Sequence, residues 1–210
     1  MYKIEGIFRG SSDDRVILKI LTPDGKTETV SVSLMTYREM GIKKGEISEG
    51  LYDKIVNASL DEDALKKGLR VLSYGANSSK RLADKLVRSG VSRSRAEMTA
   101  EELKKRGYIM EDEDARRLAE EMLRRGWGER RILSSIRSKG YSAETVETVA
   151  EYLSEVDFVE RCAQTVRKKF KCLPSDRAEL QKAIAKLVNL GYNVNDAKKA
   201  LAEVMSEQKK

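Results

Sequence analysis

A pattern that occurs three times along the chain is the feature that most constrains the fold. The stretch from Arg124 to Ser142 reads as the end of one helix, a turn, a second helix and a glycine stop. We call its pattern the apolar frame: two apolar residues lie four apart on one helix face, and a glycine follows. The frame occurs as Ile132, Ile136 and Gly140 in this stretch, as Leu82, Leu86 and Gly90 upstream, and as Ala183, Leu187 and Gly191 downstream. The offsets of 50 and 51 residues predict a helical repeat with a period of about fifty residues. One such unit cannot bury its apolar face alone, but three successive units can share a continuous core.

Composition agrees with a helical chain. Charged residues make up 36% of the 210 residues, aromatic residues only 6%, and there are 2 prolines. This profile is typical of well-solvated helices that run unbroken, and it is unlike that of a β-sandwich or barrel.

The first 50 residues differ from the rest and predict a small β module. Strands are expected at residues 2–8, at 16–21, where the run is apolar and β-branched, and at 27–33, where apolar and polar residues alternate. Thr22 to Gly25 predicts a turn, and Lys43 to Glu46 predicts a turn into a short last strand or directly into a helix. So few strands form a marginal unit, which we expect to lean on the helices behind it.

From about residue 60 the chain predicts nine helices in three triplets. The first is expected to begin at Leu60, with Asp61 to Asp63 favouring the helix dipole in its first turn, and Ser78 is the predicted cap of the second. The predicted fold is therefore mainly α, with three tandem three-helix repeats in an elongated array after the β module. The expected divisions are 1–50 for the β-rich module, 51–107 for a linker and repeat 1, 108–156 for repeat 2 and 157–210 for repeat 3.

No catalytic constellation is evident in the sequence. There is no histidine, which removes the commonest metal ligand and general base. The glycines around Trp127 lack the lysine and strand of a phosphate loop, and Cys162 and Cys172 are expected to be reduced. No signal peptide or membrane span is predicted, so we expect a cytoplasmic monomer without a cofactor. One enzymatic alternative remains, in which the acids at Glu111–Asp114 hold a divalent ion, although acids at a helix start usually favour the dipole instead.

The aromatic residues at the turns have two interpretations. Trp127, between two glycines, is either a contact anchor for a partner or, as we favour, a wedge packed between helices. Tyr108, Tyr141 and Tyr192 each follow a helix-ending glycine, which predicts a shared role as a hydrophobic latch over the helix end.

The basic residues predict the binding surface. The first 60 residues carry nine basic and nine acidic side chains, so the net charge of +7 belongs to the helical part. A basic position recurs beside the apolar frame at Arg81, Arg131 and Lys182, and the segment 161–171, which includes Lys171, has five basic residues and no acid. A line of charge suits a polyanion or an acidic protein groove, whereas any single pair reads more simply as a solvated face. The predicted partner- or DNA-binding residues are Lys80, Arg81, Lys85, Arg88, Arg124, Arg125, Arg130, Arg131, Arg137, Lys139, Arg167, Lys168, Lys169 and Lys182.

An ordered set of motifs across the repeats resembles a known family. The set consists of Gly126–Ile132 with Ile136 and Lys139–Tyr141, of Ser79–Leu82 with Lys85–Leu86 and Gly90, and of Leu103–Ile109. In this order it resembles the RecX family of bacterial recombinase regulators over roughly residues 60 to 205. The β module resembles the extension of longer members. Arg81 stands where the family usually has a glutamate, and Asp114 where it usually has an aromatic residue.

The resemblance implies a non-enzymatic regulator in DNA repair, homologous recombination and the SOS response. Such a protein binds the RecA nucleoprotein filament along its helical groove, mostly inhibits its recombinase, ATPase and co-protease activities, and contacts single- or double-stranded DNA more weakly. The alternative from the residues alone is a general nucleic-acid-binding helical repeat protein without a recombinase partner.

Overall fold

A computed structural model describes residues 1–10, 14–170 and 172–207. Within these ranges it contains ten helices and one four-stranded antiparallel sheet near the N-terminus, which confirms the mainly helical fold with a small β module. The chain divides into two compact units. The N-terminal unit comprises residues 1–75 and 82–103, and the C-terminal unit comprises residues 76–81 and those from 104 onward.

The sheet of the N-terminal unit has the predicted strands. These are β1 (Tyr2–Arg9), β2 (Arg15–Leu21), β3 (Thr27–Ser33) and the short β4 (Gly45–Ile47), in the order β3-β2-β1-β4. The predicted turn is closed by the Gly25 amide, which donates to the Thr22 carbonyl at 3.0 Å. The alternation puts one face of the sheet into a core formed by Ile4, Val16, Leu18, Ile20, Val30 and Val32.

Two helices follow the sheet, and they differ from the prediction. A six-residue helix, α1 (Leu34–Glu39), was not predicted; the Ser33 hydroxyl caps it by accepting from the Thr36 amide. The next helix, α2 (Glu49–Leu72), begins at the Ser48 cap, so the predicted start at Leu60 was wrong. Its residue Ile55 is fully buried in the core of the sheet, as expected for a module that leans on a helix.

The acids read as a helix start lie in the middle of α2 and form tertiary ion pairs. Arg15 on β2 contacts Glu62 at 2.6 Å and Asp63 at 3.4 Å, and Arg95 contacts Asp61 at 2.6 Å. These partners replace the helix dipole as the reason for three consecutive acids.

The other helices of the N-terminal unit pack closely on α2. They are α3 (Ser79–Arg88), whose first turn belongs to the C-terminal unit, and α4 (Arg93–Lys105). A β-carbon added to Gly68 would lie 2.6 Å from a methyl carbon of Leu103. The Leu103 side chain would therefore have to shift to admit a larger residue at this position. Leu82, Leu86 and Leu103 are all fully buried.

The C-terminal unit contains two successive three-helix groups. The first is α5 (Glu111–Arg124), α6 (Glu129–Ser138) and α7 (Ala143–Ser154), and the second is α8 (Phe158–Lys169), α9 (Arg177–Asn189) and α10 (Val194–Glu207). The frame residues Ile132 and Ile136 are at the centre of one apolar cluster, and Ala183 and Leu187 are in the other. These groups fit the predicted repeat, while the number of repeats and the module boundaries stay predictions.

Helix α9 differs from α6 at its start. It has 13 residues where α6 has 10, and its first turn is closed by its own side chains. Asp176 accepts from the Glu179 amide at 2.7 Å, and Glu179 accepts from the Ser175 amide at 2.8 Å. Asp176 is therefore the N-cap of α9, and Glu179 bonds back to the residue before that cap.

The three tyrosines do not share one role. Tyr192 is 1% exposed and belongs to the α8–α10 cluster, whereas Tyr108 is 57% exposed. The prediction that all three share one role is therefore wrong, since Tyr108 is largely exposed where Tyr192 is buried. Trp127 is half-buried against the α5–α7 cluster, in keeping with the wedge. Both cysteines are free, Cys162 in the core and Cys172 at the surface.

Candidate functional site

Two joints within the C-terminal unit hold the helix starts that carry the predicted basic residues. In the first, the start of α6 is held by the turn that follows α9. The Gly128 amide donates to the Leu190 carbonyl at 2.8 Å, and the Arg130 amide donates to the Gly191 carbonyl at 3.2 Å. We call this contact the α6–α9 joint. A β-carbon on Gly128 would lie 2.2 Å from the Gly191 carbonyl carbon, so only glycine allows this approach.

In the second joint, the start of α3 is held by the turn that follows α6, and we call it the α3–α6 joint. The buried Ser78 hydroxyl donates to the Lys139 carbonyl at 2.9 Å and accepts from the Arg81 amide at 3.3 Å, which also confirms Ser78 as the cap. Glu111 of α5 accepts from the Ser79 amide at 2.7 Å and pairs with Lys104 at 3.1 Å. The two joints recur with the same spacing as the sequence repeat.

The acids at the start of α5 serve structural contacts. Glu111 is buried in the α3–α6 joint, and Asp112 accepts from the Thr145 hydroxyl at 2.6 Å. Burial raises the pKa of the Asp114 carboxyl above its ordinary value, and the nearby Arg117 opposes that rise. Over residues 1–10, 14–170 and 172–207 there is no group of three or more cysteine, aspartate or glutamate side chains placed to hold a metal ion.

Most of the predicted basic residues have exposed side chains that form no ion pair within the described residues. Among the predicted residues, the side chains that are exposed and form no ion pair, hydrogen bond or ring contact within the described part of the chain are those of Lys80, Arg81, Arg88, Arg124, Arg130, Arg137, Lys168 and Lys182. The position that recurs beside the frame is the third residue of α3 and of α6, but the sixth of the longer α9. These cations are accessible to an anionic partner.

Five of the other predicted residues have side chains that interact within the chain. Arg131 lies over the Trp127 ring at 4.0 Å from its centre, and Arg125 pairs with Glu121. The Lys169 ammonium donates to the Arg125 carbonyl at 3.0 Å.

Arg167 is the most heavily paired. It lies 2.7 Å from Glu207 and 3.4 Å from both Glu203 and Glu160. Because of these three ion pairs, we regard Arg167 as structural.

Two other basic residues are not available as candidates. Lys85 is half-buried and has a partner, and Lys171 lies outside the described residues.

One cavity brings two predicted residues together with two that were not predicted. Arg81 and Lys139 line a cavity of about 210 Å³ together with Arg117 and Tyr141. Arg117 could have been found from its position three residues after Asp114, on the same face of α5. Tyr141 was assigned only a structural role, and the sequence carries no signal that it lines a cavity.

No helix within residues 1–10, 14–170 and 172–207 is long and apolar enough to cross a membrane.

Comparisons with characterised proteins and with solved structures both match RecX regulatory proteins. No family model matches the chain. The chain is 30% identical over 169 residues to the regulatory protein RecX of Caldanaerobacter subterraneus subsp. tengcongensis. The aligned residues cover 79% of this chain and 83% of that relative. The fold matches a crystal structure of a regulatory protein RecX with a TM-score of 0.75 and 20% identity over 94% of this chain and 98% of the other. It also matches RecX from Lactobacillus salivarius with a TM-score of 0.62 and 18% identity, over 70% and 97% of the two chains. The identity to the Caldanaerobacter protein and the length over which it extends show that the chain belongs to the RecX family of regulatory proteins.

Proposed function

We propose that this chain is a non-enzymatic regulator that binds RecA nucleoprotein filaments along their helical groove, as a monomer in the cytoplasm. In this role it curbs strand exchange, ATP hydrolysis and co-protease activity, and it contacts DNA more weakly. The observation that carries the proposal is its match to a RecX regulatory protein over most of both chains. The uncommitted cations of α3, α6 and α9 support it, because a filament on DNA offers phosphates and acidic side chains along a groove.

The structure indicates which charges to reverse. Arg131 stacks on Trp127 and Arg81 lines the cavity, so changing either would mix two effects. Arg130, Arg137 and Lys182 are exposed and form no ion pair within the described ranges. The test variant is therefore Arg130→Glu, Arg137→Glu, Lys182→Glu.

The experiment is co-sedimentation with RecA filaments on single-stranded DNA across a salt series, with RecA ATPase activity measured in parallel. We expect the wild type to bind and to lower ATP hydrolysis, and the triple variant to bind weakly. Each phosphate contact that is lost should reduce the slope of log affinity against log salt by about 0.7. The melting temperature should barely change, since exposed charges contribute little to stability.

The matched control is a triple reversal on the β module, at Lys3, Lys43 and Lys44. These side chains are exposed and have no ion pair in the described part of the chain, whereas Arg15 would be a poor choice because it pairs with Glu62. Equal loss of binding in both triples would attribute the effect to net charge alone.

The second candidate is a nucleic-acid-binding protein without a recombinase partner, which the exposed arginines alone would also support. Binding to bare DNA with a steep salt dependence, and no added affinity when RecA coats that DNA, would favour it over the regulator.

A further inference from the structure

The cavity in the C-terminal unit is formed by three segments that the α3–α6 joint holds together. Ala76 and Arg81 come from the segment around the start of α3, Arg117 and Leu118 from one face of α5, and Tyr141 from the turn after α6. Ser78, which is 1% exposed, lies at its wall with both hydrogen bonds of its hydroxyl made to the backbone. The wall is therefore fixed before any ligand arrives.

The charges around the cavity favour a single anionic group. Three cationic side chains, those of Arg81, Arg117 and Lys139, line it together with the carboxylates of Asp114 and Glu121. Arg81 and Lys139 form no ion pair within the described residues, and Arg117 is only within 4.0 Å of Asp114. Glu121 is engaged by Arg125.

Donors outnumber the acceptors available to them inside the cavity. The Tyr141 ring is half-buried, and its phenol makes no hydrogen bond within the described ranges. Burial raises the pKa of this phenol, as do the charges of Asp114 and Glu111, so it stays a neutral donor at physiological pH. The guanidinium of Arg81, the ammonium of Lys139 and this phenol are all free to donate to an incoming acceptor.

The size and the wall chemistry narrow the ligand further. About 210 Å³ is below the roughly 300–1,000 Å³ typical of small-molecule sites. The half-buried Leu118 and the exposed Ala76 offer apolar surface for a short aliphatic stem. A phosphodiester chain fits less well, because Asp114 and Glu121 would repel successive phosphates.

We propose that this cavity receives one acidic side chain, glutamate or aspartate, from a protein partner. The carboxylate accepts charge-assisted hydrogen bonds from Arg81, Lys139 and Tyr141, and its methylene groups contact Leu118. Under the proposed function the partner is the filament, so the identity of the partner rests on that function, whereas the recognition of a carboxylate does not.

The first test is filament binding by two variants that attack the cavity in different ways. Ala76→Phe fills the space and leaves every charge in place, and Lys139→Gln removes one donor while keeping the carbonyl that Ser78 binds. The matched control is Ala178→Phe, at an exposed position near the start of α9. Both cavity variants should bind filaments at least about tenfold more weakly, which corresponds to about 1.4 kcal/mol, while the control binds like the wild type.

The second test needs no RecA. N-acetyl-glutamate amide is titrated into the full chain, and the backbone amide signals of Arg81, Lys139 and Tyr141 are followed by NMR, with inorganic phosphate as the comparison. We expect saturable shifts with the carboxylate in the wild type and none in Ala76→Phe.

The outcomes separate the two proposals. If the wild type binds filaments and Ala76→Phe binds equally well, the cavity proposal is overturned and the proposed function stands. If the wild type does not bind filaments, the proposed function fails and the titration decides the cavity proposal. Absent shifts, shifts that persist in Ala76→Phe, or stronger shifts with phosphate would overturn it.

Discussion

The α6–α9 joint and the α3–α6 joint do the same job with different chemistry. At the start of α6 the contact is backbone to backbone, with the Gly128 and Arg130 amides donating to carbonyls of the turn. At the start of α3 a side chain mediates the contact, through the Ser78 hydroxyl and the Lys139 carbonyl. In both joints a helix start contacts the turn of the next repeat, but the contacting atoms differ. A repeat can therefore keep the same contact between elements while the atoms that form it change.

The two joints should therefore respond very differently to one added carbon. A backbone contact has no flexible part that can move aside, whereas a hydroxyl can be lost with only its hydrogen bonds. The sequence has a single tryptophan, Trp127, next to Gly128, so its fluorescence reports on the α6–α9 joint in urea denaturation. Four sets of variants test the comparison.

The largest effect is expected for Gly128→Ala. Its new β-carbon would lie 2.2 Å from the Gly191 carbonyl carbon, so the turn must move and the hydrogen bonds of the joint are lost. We expect the free energy of unfolding to fall by about 3 kcal/mol, the upper end for overpacking. A loss below about 1 kcal/mol, measured by tryptophan fluorescence, would show that the joint is not tight.

The second-largest effect is expected at Gly191, in the turn after α9. Its equivalent in the turn after α6 is Gly140, and both glycines have a positive φ. Gly191→Ala should cost about 2–3 kcal/mol, because its β-carbon would meet that of Arg131 at 2.4 Å in addition to the strain at a φ of 100°. Gly140→Ala should cost only about 1 kcal/mol, since its closest neighbour is the Ser78 hydroxyl at 3.3 Å.

Gly107→Ala is the control for backbone strain alone, with a φ of 77° and nothing within 4 Å of the added carbon. Urea denaturation of all three variants gives the comparison. Equal losses at Gly191 and Gly107 would mean that crowding contributes nothing.

A smaller loss is expected for Ser78→Ala, at about 1 kcal/mol, because the helix loses its cap and the Lys139 carbonyl loses a donor. The neighbouring Ser79→Ala is the matched control. The Ser79 hydroxyl is buried without a hydrogen-bond partner among the described residues, so its removal should be neutral or slightly stabilising. Chemical denaturation followed by circular dichroism would contradict the joint if both variants lost the same stability.

The smallest effect is expected for Glu111→Gln, at about 0.5 kcal/mol or less. The amide oxygen of glutamine still accepts from the Ser79 amide, and only the ion pair with Lys104 is lost. That lysine side chain is 43% exposed, so water screens the pair. A loss above about 2 kcal/mol in the same denaturation measurement would show that the charge itself holds the joint.

The parts of the fold that were predictable depend on local patterns. Alternation and a β-branched apolar run located strands, the apolar frame located Ile132 and Leu187 in their cores, and Ser78 was read correctly as a cap. The start of α2 was missed because the acids at 61–63 have partners distant in sequence, such as Arg15. Local rules attribute such acids to the helix dipole, since tertiary partners leave no local signal.

The candidate site was predictable in part, for the same reason. Arg167 and Lys168 are adjacent and look alike in the sequence, yet only Arg167 is paired, with acids on α10. Gly128 could be read as a turn residue, but its need to be glycine comes from the approach of Gly191. Which cations remain available, and which of them share a cavity, depends on packing.

The start of α9 has a consequence for how such a chain can grow. Its N-cap is Asp176, whose carboxylate accepts from the Glu179 amide. Helix α6 begins instead at Gly128, which makes no side-chain cap bond and donates its amide to the turn after α9. Gene duplication that added a unit after α10 would bring a turn against a helix start that carries a β-carbon where the α6–α9 joint needs glycine. The duplicate would form an equivalent joint only after Asp176 was replaced by glycine, so the N-cap of α9 limits growth by simple duplication.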